Sequence, residues 1–301
     1  MRRFLALILL VMTLQQTASA KPDTTLETQL RTIATAYRGA VALYAIDLHS
    51  GRSVAIDADT PVPTASVIKL TVLFEALKQI QEGRKAWSDP VTLTKANQVE
   101  GSGVLALFDT PATLTLKDVL TLMIVLSDNT ATNVAIDDLG LQNIDDRIRW
   151  MGLQNTWLYK KVFLPPVAPV PADQPRFGLG KTTAREMASV MQRFATCDLN
   201  APGVTVPPSE SDRALCDVAL DILKAQQDRG GIPRYLGDLT VANKTGALDA
   251  VRNDVGIVYA KNGPIVISAF TYDNKDQSWT PDNPGQLLIA TMAKAIVDAW
   301  Q

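Results

Sequence analysis

A serine and a lysine three residues apart on one helix can serve as a nucleophile and its base, and Ser66-Val-Ile-Lys69 has that spacing. Ser66 would lie in the first turn, where unsatisfied N–H groups and the helix dipole favour negative charge on its oxygen. Lys69 would sit on a helix apolar almost all round, through Val67, Ile68, Leu70, Val72, Leu73, Phe74 and Leu77. An ammonium there is costly unless paired or deprotonated, and desolvation lowers a lysine pKa, as a lysine base requires. Ser127-Asp128-Asn129 falls between two helical stretches, where side chains can project into a cleft. Lys244-Thr245-Gly246 ends a β-rich stretch and offers a cation, a hydroxyl donor and room for a substrate beside the backbone. Each motif alone is weak: an S-x-x-K pattern arises about once by chance in a chain of this length. All three in order, each on the element its chemistry needs, come to well under ~1% by chance.

The positioning elements are legible in outline. Helical spacing covers Leu26 to Tyr37, with Asp23 to Thr25 as caps, and a hairpin turns at Ser50-Gly51 between Val41–Leu48 and Arg52–Asp57. Thr64 is placed to cap the Ser66–Lys69 helix, Thr115 begins a helix over Leu116–Ile124, and another runs from Thr130 to Leu139. Residues 162–180 hold five prolines and no period, which predicts a long loop. Helical signal resumes over Thr183–Phe194, and β-rich runs follow at Leu239–Thr245, Asp254–Ala260 and Pro264–Tyr272. An amphipathic helix over Leu288–Trp300 closes the chain. Strands from both chain ends predict an α+β fold: an antiparallel five-stranded sheet flanked by helices, with an all-α domain inserted. The expected boundaries are a leader over 1–20, a sheet domain over 21–60 and 205–301, and the helical domain over 61–204.

The motifs resemble those of the serine β-lactamases and penicillin-binding proteins, and their order and spacing are most like the class A branch. The likeness spans nearly the whole mature chain. It takes in the hairpin Val41–Gly51, Gly101-Ser-Gly-Val-Leu105, Thr182-Thr-Ala184 and Lys244-Thr-Gly-Ala247. It implies that Ser66 is acylated, Lys69 is its base, and Ser127 relays a proton to the leaving nitrogen. Asn129 would bind the substrate amide, Lys244 and Thr245 its carboxylate, with Gly246 between Thr245 and Ala247. The N–H groups of Ser66 and Ala247 would form the oxyanion hole. It further implies that the substrate is a β-lactam or an acyl-D-Ala-like molecule, without metal or cofactor.

One family element is absent. Class A enzymes carry Glu-x-x-Leu-Asn before the Thr-Thr-Ala segment, and its Glu is the deacylation base. The stretch Thr156–Pro166 contains no acid, and between Arg147 and Arg185 the only carboxylate is Asp173, in a Pro-rich loop expected to be solvated. Asp128 is expected to be a structural carboxylate. Three functions stay open: β-lactam hydrolysis with slow deacylation, a D-Ala-D-Ala peptidase or esterase, and a binding or sensing protein without turnover.

Composition narrows the classes. The 301 residues are 47% hydrophobic and 20% charged with a net charge of −2, so disorder and nucleic-acid binding are not expected. A Ser-His-Asp triad would depend on the single histidine, His49, which lies in the hairpin turn and reads as solvated. Arg2-Arg3, the apolar run Phe4–Leu14 and Ala18-Ser19-Ala20 have the order of a secretory signal peptide, too short to span a membrane. A periplasmic or extracellular monomer without a stable membrane anchor is expected. An oxidising compartment favours a disulfide between Cys197 and Cys216, with two buried free thiols as the alternative.

Overall fold

The computed structural model describes residues 20–167 and 169–301, so the leader reading, apart from Ala20, lies outside the described residues. The main sheet collects β1 (Lys21–Pro22), β2 (Ala40–Asp47), β3 (Arg52–Ile56), β4 (Val241–Leu248), β5 (Val251–Ala260) and β6 (Gly263–Tyr272). Their order is β1-β3-β2-β6-β5-β4, and β2 pairs with β6 from Ala40↔Tyr272 to Asp47↔Ile265. Strands from the two chain ends thus share one antiparallel core, as predicted. The strand count is corrected: the sheet has six strands, and β1 pairs with β3 in parallel, so the sheet is mixed. The added strand is only two residues long and lacks a period to betray it; Lys21 N donates to Gly51 O at 2.7 Å.

Both sheet faces are covered, which explains why β2 is apolar nearly throughout rather than alternating. Leu43 and Ala45 point into a cluster with α1 (Thr24–Ala34) and a C-terminal helix, Pro284–Trp300. Ala42, Tyr44 and Ile46 point into the larger core on the opposite face. The expected caps at Asp23 and Thr115 hold, Asp23 accepting from Leu26 N and Thr115 from Asp118 N, and Thr183, read as the first helical residue, proves to be a third, accepting from Glu186 N. His49 is exposed in the hairpin turn, held by Asp47 Oδ1 accepting from its N–H at 2.9 Å.

The helix after Ser66, α2 (Lys69–Gln81), runs through the larger core, with Val67, Ile68, Leu70, Val72, Leu73, Phe74 and Leu77 fully buried. Burying such side chains contributes about 1.5–3 kcal/mol each, which offsets the cost of taking the Lys69 amine out of water. Around α2 pack α3 (Leu116–Val125), α4 (Asn129–Leu139), α5 (Leu141–Trp150), α6 (Ala184–Thr196) and α7 (Glu210–Lys224). α5 and α7 are not among the expected helices, although Ile144 and Ile148 in α5 and Leu215, Ala219 and Ile222 in α7 recur at helical spacing, and Ser209 and Asp212 make a capping box at the start of α7. The Pro-rich stretch is irregular except for one turn of helix over Gln174–Phe177 and a short strand, Gly180–Thr182. The expectation of an all-α region over 61–204 is corrected: Gly180–Thr182 pairs with Val62–Pro63 and Trp157–Leu158, and Pro90–Leu93 pairs with Ala112–Thr115, in strands too short to show a period.

Cys197, at the end of α6, is bonded to Cys216 in α7 across a sequence separation of 19. Closing a loop of this size limits the unfolded chain. The Cys197→Ser/Cys216→Ser protein is therefore expected to lose about 3 kcal/mol of unfolding free energy in a denaturant titration. Two titratable thiols in unreduced, denatured wild-type protein would contradict the bond.

Candidate active site

Ser66 lies in a 3-10 turn, Ala65–Ile68, immediately before α2, rather than in the first turn of the α-helix itself. The predicted Thr64 cap is not made. Its hydroxyl has no hydrogen-bond partner among the described residues, and its backbone is held instead by tertiary contacts. Thr64 N donates to Gly180 O at 3.0 Å, while Asn253 Nδ2 donates to the carbonyls of Pro63 at 2.9 Å and Thr64 at 3.1 Å. Ala65 is left at φ +44°, a left-handed conformation unusual outside glycine. Such strain persists only where surrounding contacts over-determine it, and it tends to cluster at functional sites.

Strand β4 passes directly against this turn. A Cβ on Gly246 would lie 2.9 Å from Ser66 N, 2.9 Å from Thr64 O and 3.0 Å from Val67 N. Gly246 thus makes room for the nucleophile's own backbone, not only for a substrate. Thr245 and Ala247, both partly exposed, flank it on the strand. Ser66, Thr245, Gly246 and Ala247 are thereby gathered at one place from chain segments far apart.

Lys69 is fully buried, and its Nζ reaches the Ser127 loop. It donates to Ser127 O at 2.8 Å, Ser127 Oγ at 3.1 Å and Asn129 Oδ1 at 3.2 Å. No hydrogen bond joins it to Ser66 Oγ among the described residues. Burial drives its pKa well below the usual lysine range, the Lys244 charge acts in the same direction, and Asp128 opposes both. A buried amine that sheds its proton easily can accept one from a hydroxyl.

The Ser127 loop owes its shape to Asp128. Oδ1 caps α4 by accepting from Ala131 N at 2.8 Å, and Oδ2 accepts from Val104 N at 2.6 Å and Leu105 N at 2.9 Å. Asp128 is structural, as expected. Ser102 Oγ donates to Ser127 O and Asn129 N donates to Ser102 O, each at 2.9 Å, which closes the 101–105 loop onto the motif. Gly103, at φ +107°, is required here: a Cβ would sit 2.1 Å from Asp128 Cγ. Ser127 is itself left-handed at φ +54°.

Lys244 is also fully buried, with Nζ donating to Thr245 O at 2.7 Å. Burial lowers its pKa to about 8, against the pull of Asp254 and Asp228. Asp254, pushed up to about 7 by burial, accepts from Asn243 Nδ2 at 2.9 Å and Ile232 N at 2.7 Å. If Lys244 recognises a substrate carboxylate, that attraction is lost as pH rises through about 8. Acylation by carboxylate-bearing ligands is then expected to fall above about pH 8, approaching tenfold per pH unit. The same pH series with a ligand whose carboxylate is esterified should lack this limb.

Residue spacing does not single out three further residues of the site: Asn133, Asn253 and Asp254. Asn133 lies four residues after Asn129 on α4, hence on the same face, and is fully buried. It accepts from Val162 N at 2.8 Å and donates to Val162 O at 3.1 Å, clamping the Pro-rich loop beside the Ser127 motif. The signal that could find them is polarity in apolar surroundings: Asn133 on a buried helix, and Asn253-Asp254, after Arg252, in a strand that is buried up to Val258. The clamped residue, Val162, is aliphatic and buried. Asp173 accepts from Lys181 Nζ at 2.7 Å and Tyr159 OH at 3.2 Å, with 40% of its side chain exposed.

Known proteins share this architecture. A model described as the beta-lactamase enzyme family matches residues 25–300. A beta-lactamase of Amycolatopsis lactamdurans is 27% identical over 292 residues, covering 94% of this chain and 87% of the relative. The beta-lactamase regulatory protein BlaB of Streptomyces cacaoi is 23% identical over 288 residues, covering 84% of this chain and 90% of its own. Among solved structures, PBP-A matches with a TM-score of 0.79 and 26% identity, over 95% of this chain and 99% of that one.

Proposed function

The chain belongs to the beta-lactamase enzyme family, and from that membership we propose an exported serine hydrolase that opens β-lactam rings through a Ser66 acyl-enzyme with slow deacylation. The observation that carries this reading is the buried Lys69 amine hydrogen-bonded to Ser127 Oγ and Asn129 Oδ1, beside the turn that presents Ser66. Ser66 Oγ attacks the lactam carbonyl as Lys69 accepts its proton. The oxyanion is held by the N–H groups of Ser66 and Ala247. The C–N bond then breaks, the proton passes through the Ser127 hydroxyl to the departing nitrogen, and an ester remains on Ser66. Asn129 orients the acyl amide, while Lys244 and Thr245 hold the carboxylate beside Gly246.

Hydrolysis of that ester needs a base for water. The loop clamped by Asn133 supplies Val162, and Asp173 is committed to Lys181. These two facts also favour a second reading, a penicillin-binding-type enzyme for which D-Ala-D-Ala peptides are the better substrates, in line with the likeness to PBP-A. The test is intact-protein mass over time with a penicillin and a chromogenic cephalosporin, beside D-alanine release from a peptide. An adduct that forms quickly and clears slowly is the expected result. Faster peptide release would favour the second reading, and a permanent adduct would favour a sensor. Fast linear hydrolysis without an adduct would overturn slow deacylation, and neither adduct nor hydrolysis would overturn the acyl-enzyme.

A further inference from the structure

Resting on the acyl-enzyme reading, we propose that Phe163 determines which acyl groups the site accepts, favouring donors whose amide carries an aryl or aliphatic substituent over those carrying a carboxylate. The position of its ring is the first ground. The point where Gly101 would carry a Cβ lies 3.1 Å from Phe163 Cε2 and 2.5 Å from Asn129 Nδ2. Ring edge and side-chain amide therefore flank the same point. If Asn129 holds the substrate's amide, the substituent on that amide extends along the Phe163 ring. Gly101, at φ +91°, keeps this space open, because any larger residue would press on the Asn129 amide and the ring.

The second ground is how Phe163 is held. The residue is 61% exposed, costly for an aromatic side chain, and its backbone is left-handed at φ +56°. The double hydrogen bond between Asn133 and Val162 fixes the preceding residue, so the strained, exposed placement is imposed by the loop. A carboxylate on the acyl substituent would find no donor in the ring, nor in the Glu100 carbonyl, which accepts from Asn129 Nδ2 at 3.2 Å. An aryl group would gain an edge or offset stacking contact.

The test compares acylation rate constants, followed by intact mass, for benzylpenicillin and for a penicillin of the same nucleus whose acyl substituent bears a carboxylate. Wild-type protein is expected to prefer the neutral aryl donor by about fivefold to tenfold, the scale of one aromatic contact. Phe163→Ala should bring that ratio to within about twofold. Phe163→Asn, which removes the ring yet tolerates the left-handed backbone, should do the same. A wild-type ratio near one, or a ratio unchanged in a folded variant, would overturn the role of Phe163. Failure of both penicillins to acylate wild-type Ser66 would instead overturn the acyl-enzyme reading, and this inference with it.

Discussion

Replacing Ser66 by alanine is expected to abolish covalent labelling by a fluorescent penicillin while leaving the thermal unfolding midpoint nearly unchanged. Ser66 is a partly exposed residue on a turn whose position is secured by other groups: Gly180, Asn253 and the close passage of Gly246. Removing one oxygen from such a turn leaves the buried core of α2 intact. Loss of label with the midpoint retained therefore isolates the nucleophile. Wild-type labelling in the variant would remove the mechanism. Lys69→Ala should slow acylation by about 10²–10⁴-fold, the usual worth of a positioned base. Because Lys69 bridges to Ser127 and Asn129 across the core, that variant is also expected to unfold more easily, so its rate must be read on protein shown to be folded.

The second large effect concerns the ester. With benzylpenicillin the wild-type protein should release one equivalent of opened ring rapidly and then turn over slowly. Val162→Glu is expected to raise the slow phase by up to about 10²–10⁴-fold. Asn133 fixes both main-chain groups of Val162, so a new side chain would leave the backbone at a defined place beside α4. The carboxylate would then be the one acid of the loop without a cation already bound to it, since Asp173 is paired with Lys181. Stopped-flow absorbance with intact mass at matched times separates the two steps. A slow phase unchanged in a folded Val162→Glu protein would show that a carboxylate there cannot aim water at the ester. Fast wild-type hydrolysis without a burst would mean that this chain already has an efficient base.

What could be read from the sequence was local. Ser66-Val-Ile-Lys69 announces itself because a spacing of three brings two groups to one side of either helix type, although the structure places Ser66 in a 3-10 turn ahead of the helix that carries Lys69. Asp23 and Thr115 could be read as caps because a cap bonds only two or three residues ahead. The lack of an acid between Arg147 and Arg185, Asp173 apart, is likewise a property of the string of residues. Tertiary structure decided the rest, because those contacts join residues far apart in the chain. Thr64 fails as a cap since Gly180 and Asn253 bind its backbone in other directions. Gly246 is required by the backbone of Ser66, 180 residues away, and the sixth strand exists because the carbonyls of Gly51 and Ser53 accept from Lys21 N and Asp23 N. The buried surroundings that lower the pKa of Lys69, and the clamp that brings Val162 beside the Ser127 motif, arise only when the helices close around α2. Desolvation and hydrogen-bond geometry depend on what packs nearby in space, and no residue spacing encodes that.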